Sequence, residues 1–453
     1  MTTHADIARA LQSRWPEHRI APGLARVRAL TELLGAPQRG YPVIQIAGTN
    51  GKGSTALIID ALLRALNLRT GRIASPHLAD LTERVCIDGE PMDAAAFDAL
   101  VGDVMPLVEI VDAERHDGVP MTFFEVMTAL AYEAFAQAPV DVAIVEVGLG
   151  GITDATNIAD ADVAVIAPID LDHTHLLGDT IAEIAAEKAG IIKPGSIVVT
   201  AAQHPDADAA IAARAAEVGA RVLREGVDFA LIDRTPAVGG QVIRVDTAGG
   251  PVGDLMLPIH GEHMARNAAL AVAAVEAFLG GRPIPPEVLA EGLTAVQAPA
   301  RLELVRSGPP LVLDTCHNVH GTRATLAGLR EAYGFAPLIV VVAMMRDKDV
   351  EGVLELLAED ASTFVCTQVA STDRGLPADE LGELAAEAAG EDRVHVRAAL
   401  PDALELAVQL ADDAGPGAGV LIAGSVILAG EARTLLVRHR DEAPDADAGE
   451  AAR

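Results

Sequence analysis

The apolar run VIQIA, Val43 to Ala47, leads straight into Gly48-Thr49-Asn50-Gly51-Lys52-Gly53-Ser54-Thr55, and a helical pattern follows. A glycine-rich turn between a strand and a helix lets backbone N–H groups and the helix N-terminus face a phosphate, and a lysine adds a full positive charge. The spacing departs from GxxxxGK(S/T): Gly53 separates Lys52 from the first hydroxyl, and the upstream glycine lies closer than that pattern asks. The segment reads as a variant phosphate loop, set against the plainer reading of a Gly-rich connection. The only lysines are Lys52, Lys188, Lys193 and Lys348, so one in this loop carries weight.

Other candidates end later strand-like runs, where open α/β sheets place their ligands. Glu146 closes the run ending Ala143-Ile144-Val145 and is followed by Gly148-Leu149-Gly150-Gly151. A carboxylate there is costly unless a positive group meets it, and a metal is a natural partner. Asp170-Leu171-Asp172-His173-Thr174-His175 is dense in oxygen and imidazole ligands, and reads equally as capping aspartates with solvated histidines. Lys188 by itself reads as a charge near a helix end, favourable to the dipole. Arg301, Asp314, His317 and Asn318 form a further group that alone fits an ordinary capped turn.

Short apolar runs alternate with Ala- and Leu-rich helical patterns, which predicts an α/β fold with parallel strands. Strands are expected at Val43–Ala47, Val140–Val147 and Val163–Ile169, and helices at Thr55–Leu66, Thr122–Phe135 and Ile181–Ala189. Between Asp228 and Pro258, alternating residues with glycine pairs at 239–240 and 249–250 predict antiparallel hairpin strands. A helix from Glu262 to Leu279 precedes a boundary near Gln297; a smaller α/β domain then runs to residue 440. Residues 441–453, acidic and poor in large apolar groups, are expected to form a disordered tail.

The 453 residues suit two or three domains, and a 50% apolar composition with 22% charged residues supplies packed cores. With 34 Lys plus Arg against 65 Asp plus Glu, the formal charge is -31, and no basic stripe suggests nucleic acid. No signal peptide or membrane-length apolar run is evident, so a cytoplasmic location is expected. Cys86, Cys316 and Cys366 are scattered and show no zinc spacing.

Seven segments in order, IAGTNGKGST, SPHLADLTERVCIDG, TFFEVMTALAYEAF, VEVGLGGITDATN, LDHTHLLGDTIAEIAAEKAGIIK, EHMARNAALA and LDTCHN, resemble the folylpolyglutamate synthase/dihydrofolate synthase family of Mur-type ligases. The likeness spans roughly Gly23 to Arg433. It implies an N-terminal P-loop ATPase domain with a mostly parallel sheet and a small antiparallel one, then a Rossmann-like C-terminal domain that binds glutamate, with ATP between them. The implied reaction joins L-glutamate to dihydropteroate or to the γ-carboxyl of a reduced folate. ATP first phosphorylates the carboxylate, and the glutamate amine then displaces phosphate. No enzyme nucleophile is needed; positioning and charge neutralisation do the work.

Carried over by position, the resemblance implies that Asn50, Gly51, Lys52, Gly53 and Ser54 cradle the ATP phosphates. Asn267, Arg301 and Asp314 would contact the nucleotide, and His317 would lie near the transferring phosphate or glutamate. Ser54, Ser75, Glu146 and His173 would serve Mg2+, with two ions expected and Lys188 carbamylated to support the second. Leu24, Thr122, Phe123 and Thr153 would line the pterin site, with simple core packing as the plainer, less favoured reading of Phe123. The family often has Arg-Leu, Pro-Gly-Arg and His-Asn-Pro where Ile152-Thr153, Pro299-Ala300-Arg301 and His317-Asn318-Val319 stand here. Ala300 in place of glycine raises the question of the local backbone, since glycine alone enters positive φ freely. The alternatives are a Mur-type ligase acting on a cell-wall precursor and a non-catalytic nucleotide switch. Small-molecule substrates, no nucleic acid or membrane partner, and a monomer are expected.

Overall fold

The computed structural model of the chain describes residues 3–15 and 21–442. They divide into two compact units, one holding the residues up to Pro258 together with Glu262–Gln297, the other holding Ile259–Gly261 and the residues from Ala298 onward. Ile259–Gly261 joins the second unit for a visible reason: His260 packs edge-on to Tyr333, with ring centroids 5.3 Å apart.

The first unit is built on an eight-stranded sheet in the spatial order Glu90–Pro91, Val85–Ile87, Thr70–Ile73, Val142–Glu146, Val43–Ala47, Val163–Ile166, Ile197–Thr200, Arg221–Arg224. From Thr70–Ile73 onward the pairing is parallel, and the first two strands run antiparallel at the edge. The expected strands around 140–147 and 163–169 are present in shorter form, Val142–Glu146 and Val163–Ile166. Val43–Ala47 sits between them, in register Ile46 to Glu146 on one side and Ile46 to Val165 on the other. Its C-terminal end therefore opens between two loops, which is where a doubly wound sheet leaves a crevice.

Both faces of this sheet are covered. On one face Val43, Ala143 and Val145 pack with helices Ala25–Leu33, Ala94–Glu114 and Phe123–Gln137, and further along that face Ala164, Ile166 and Val198 pack with Ile184, Ile191 and Ile211; helices Lys52–Ala65 and Glu262–Phe278 lie against the opposite face. Burial between two helical layers explains why the central runs are mainly apolar rather than alternating. The stretch from Asp228 folds as a separate three-stranded antiparallel sheet, Ala230–Ala237, Gly240–Thr247 and Gly250–Leu257, with two-residue connections at 238–239 and 248–249. The second unit holds a six-stranded sheet in the order Glu303–Ser307, Pro310–Leu313, Gly419–Ala423, Leu338–Val342, Ala361–Cys366, Val394–Val396, parallel except for its first strand.

Two expectations change. The helix after the glycine-rich turn starts at Lys52 rather than Thr55, because Gly51, at φ 83°, turns the chain into it three residues early. The last helix, Val426–Glu442, carries residues 441 and 442, so the tail expected from 441 does not begin there; 443–453 lie outside the described residues. Among the described residues no helix is long and apolar enough to cross a membrane.

Candidate functional site

The loop from Gly48 to Gly51 is pinned to the neighbouring strand end. Thr49 and Asn50 donate their N–H groups to the Pro168 carbonyl at 2.9 and 3.3 Å. The Thr49 hydroxyl donates to the Asp170 carbonyl at 2.9 Å and accepts from the Asp170 N–H at 3.1 Å. Because the helix begins at Lys52, the N–H groups of its first turn have no intrahelical partner. Asn267, 4% exposed on helix Glu262–Phe278, abuts the turn: a Cβ on Gly51 would come 2.8 Å from its side-chain oxygen. Ser54 lies on the same first turn and is 3% exposed.

Two lysines converge on this loop. Lys52 Nζ donates to the carbonyls of Gly48 and Thr49, each at 3.1 Å, and Lys188 Nζ donates to the same Gly48 carbonyl at 2.9 Å. Lys188 ends helix Ile181–Lys188 and is 4% exposed. Burial first, then the Lys52 charge, push its ammonium down from 10.5 to about 7, against the opposing pull of Asp172, Asp154 and Glu187. Lys188 is thus at a helix end, as its position suggests, but as a buried amine beside the glycine-rich loop rather than a solvated charge.

Glu146 is the last residue of its strand and 6% exposed, with a carboxylate oxygen 3.5 Å from the Ser75 backbone nitrogen. His173 adopts φ 50°, its Nε2 3.9 Å from an Asp172 oxygen. Among the described residues, no group of three or more His, Cys, Asp and Glu side chains could hold a metal by itself. That donor set still suits Mg2+, which commonly takes one or two carboxylates and leaves its other positions to phosphate and water.

Asp154 emerges only from the structure. Its carboxylate, 6% exposed, accepts from Leu149 N–H at 2.9 Å and from Thr156 N–H at 3.0 Å, and it bonds the Thr156 hydroxyl. It fixes the loop after Glu146. That loop lies tight on the end of the Lys188 helix, where a Cβ on Gly151 would meet the Glu187 carbonyl at 2.4 Å. An Asp two residues before a Thr is the turn signal that marks it in the sequence. Ile152 and Thr153 are exposed on the same loop.

The residues expected to line the pterin site lie at the starts of two helices and on the loop after Glu146. Thr122 caps helix Phe123–Gln137 in a reciprocal pair with Glu125. Phe123 is 5% exposed, with the Arg84 guanidinium 4.9 Å from its ring centroid, and Leu24 is half-buried at the start of helix Ala25–Leu33. One ring face of Phe123 is thus already covered by a cation.

Arg301, Asp314 and His317 belong to the second unit. Asp314 follows strand Pro310–Leu313 and spends its carboxylate on Leu302 N–H at 3.0 Å, Cys316 N–H at 2.8 Å and the Thr325 hydroxyl at 2.8 Å. His317 Nδ1 lies 2.9 Å from the Thr315 carbonyl, and Arg301 is half-buried between Ala300 and Leu302, at φ 53° and 49°. The backbone at position 300 thus enters the left-handed region although the residue is alanine.

The glycine-rich loop lies at the crevice of a parallel sheet and a second α/β unit follows, an arrangement that the comparisons assign to the Mur ligases. The description "Mur ligase middle domain" matches residues 46–275, and "Mur ligase, glutamate ligase domain" matches 300–426. A dihydrofolate synthase/folylpolyglutamate synthase of Mycobacterium tuberculosis is 44% identical, covering 94% of this chain and 93% of its own. The structure of Mycobacterium tuberculosis folylpolyglutamate synthase complexed with ADP and AMPPCP superposes with a TM-score of 0.91 at 44% identity, over 95% of this chain and 98% of that one. Escherichia coli FolC in complex with DHPP and ADP gives a TM-score of 0.83 at 30% identity, over 96% and 98%. The chain belongs to the dihydrofolate synthase/folylpolyglutamate synthase family of Mur ligases.

Proposed function

We propose that this chain uses ATP to join L-glutamate to dihydropteroate, to the γ-carboxyl of folylpolyglutamates, or to both, acting as a monomer in the cytoplasm. The observation that carries the reading is the convergence of Lys52 and Lys188 on one carbonyl of the phosphate loop. Those ammonium groups hold backbone oxygens where a triphosphate would bring its own. Lys52 would turn to the β- and γ-phosphates, with Asn50 to Ser54 supplying N–H donors and Asn267 bracing the turn. Arg301 and Asp314 serve the nucleotide, and His317 the transferring phosphate or glutamate. Leu24, Thr122, Phe123 and Thr153 form the pterin subsite. A substrate carboxylate oxygen attacks the γ-phosphorus as ADP leaves; the glutamate nitrogen then attacks the acyl carbon, loses a proton, and phosphate departs.

Mg2+, held by Ser54, Ser75, Glu146 and His173 together with phosphate oxygens, would neutralise charge on the phosphates. Lys188 suits carbamylation, because an amine titrating at about 7 is neutral for a substantial fraction of the time at physiological pH. Its nitrogen lone pair adds to CO2 and a proton is lost, giving a carbamate that can support a second ion.

Purified protein given ATP, Mg2+ and L-glutamate should release ADP only when dihydropteroate or tetrahydrofolate is present. Turnover with a UDP-linked muramyl substrate alone would overturn the assignment, and ATP binding without substrate-dependent ADP release would favour a switch.

A further inference from the structure

Among the described residues, the most deeply buried charge of the first unit lies in none of the motifs of the glycine-rich loop. Arg26, 1% exposed on helix Ala25–Leu33, shares its Nε–H between the two carboxylate oxygens of Glu125 at 3.0 and 3.1 Å. Nη1 donates to Asp117 at 3.2 Å and Nη2 to the Ala21 carbonyl at 2.6 Å. Glu125, 4% exposed, also accepts the Thr122 N–H at 2.7 Å, and its own N–H reaches the Thr122 hydroxyl at 3.2 Å. One planar fork thus fastens the segment entering Leu24, the turn at Asp117, and the helix start that carries Thr122 and Phe123. A buried ion pair is weak as a source of stability, because desolvation consumes much of its attraction. What it supplies well is direction, since guanidinium and carboxylate meet in a fixed plane.

We infer that Arg26 is the positioning residue of the pterin subsite: it touches no ligand, and through Glu125 and Ala21 it sets Thr122–Phe123 and Leu24 relative to each other. The inference rests on the subsite reading proposed above. It takes the flat heterocycle to be gripped between two chain segments that no direct backbone pairing is needed to align. Displacing a binding group by about 1 Å can cost as much as about 100-fold in rate, so loss of this fork should register in substrate binding.

The test compares Arg26→Lys, which keeps the charge without the fork, with the neutral double variant Arg26→Met/Glu125→Gln, which keeps an acceptor for the Thr122 N–H. Both are assayed for KM toward dihydropteroate and toward ATP, alongside thermal unfolding. The expected result is a KM for dihydropteroate raised about tenfold or more in the double variant and less in Arg26→Lys, with KM for ATP within about twofold. Cooperative unfolding above the assay temperature shows that the double variant is folded. A folded double variant with unchanged dihydropteroate KM, or with both KM values raised alike, overturns the inference. Wild-type protein that ligates neither dihydropteroate nor tetrahydrofolate defeats the functional reading instead.

Discussion

The phosphate loop and the turn at Ala300–Leu302 both take the backbone into the left-handed region, and they do so with opposite residues. At Gly51, φ 83°, the space a Cβ would fill is held by the Asn267 side chain. At Ala300 and Leu302, φ 53° and 49°, side chains are present and buried, 0% and 2% exposed. The second turn is clamped from outside: Ala300 N–H meets Glu303 at 2.7 Å, Leu302 N–H meets Asp314 at 3.0 Å, and the Leu302 carbonyl accepts from Tyr333 at 3.1 Å. Non-glycine residues held there cost about 1–3 kcal/mol each, and hydrogen bonds to fixed partners offset that. Glycine is therefore demanded where a neighbour or ligand must approach the backbone, and is dispensable where carboxylates hold the bend.

The comparison breaks most sharply at Lys52. If the first loop is the ligand-facing one, Lys52→Ala should lower kcat by about 100-fold or more, the scale of losing one electrostatic contact to a transition state. Near-normal turnover would remove the loop from the chemistry.

Lys188 probes the same loop through pH. Its ammonium titrates at about 7 when folded and near 10.5 in the ordinary state, so below about 7 both states carry the proton and the cost of burying it is fully present. Between these values the unfolded chain binds more protons, and stability rises with pH. In CO2-free buffer the melting temperature of the wild type should therefore climb from pH 7 to pH 9.5 relative to that of Lys188→Met; parallel curves would contradict it.

Gly51→Ala should cost about 1–3 kcal/mol in denaturant unfolding and impair turnover, because it adds both backbone strain and contact with Asn267. Pairing it with Asn267→Ala should recover the packing part only, and full recovery would show that φ is not the issue. In the second turn, Asp314→Asn should lose about 1–3 kcal/mol by leaving one of three donors poorly met. An unchanged unfolding midpoint would show that the clamp does not hold the bend.

The reach of the sequence follows the same division. Buried parallel strands are mainly apolar runs, so Val43–Ala47 is readable to the residue, and alternation with glycine pairs marks the hairpins around Gly239 and Gly249. Arg221–Arg224, at the sheet edge and half-exposed, carries no such run and gave no signal. At the site, the glycine-rich loop and strand-end Glu146 announced themselves by position. Lys188 did not, because its character comes from burial and from a second lysine 136 residues away, neither of which is local. Asp314 was legible as a polar strand end, but its commitment to three donors depends on Leu302 and Thr325, which only the fold assembles. Arg26 and Glu125, 99 residues apart, were hidden for the same reason.

The smallest effect is the one that separates the two turns most cleanly. Ala300→Gly relieves a left-handed alanine, worth about 1–2 kcal/mol. Against this stand the loss of one buried methyl, about 0.8 kcal/mol, and the added freedom of the unfolded chain, about 0.4–1 kcal/mol. The opposing contributions nearly cancel, so denaturant unfolding should place this variant within about 1 kcal/mol of the wild type. Its KM for ATP should also hold, because Glu303 and Asp314 still fix the backbone on either side of Arg301. A loss above about 2 kcal/mol would mean that the Ala300 methyl, and not the carboxylate clamp, sets the bend. The two turns would then differ in packing alone, and Arg301 would owe its placement to the core beneath it.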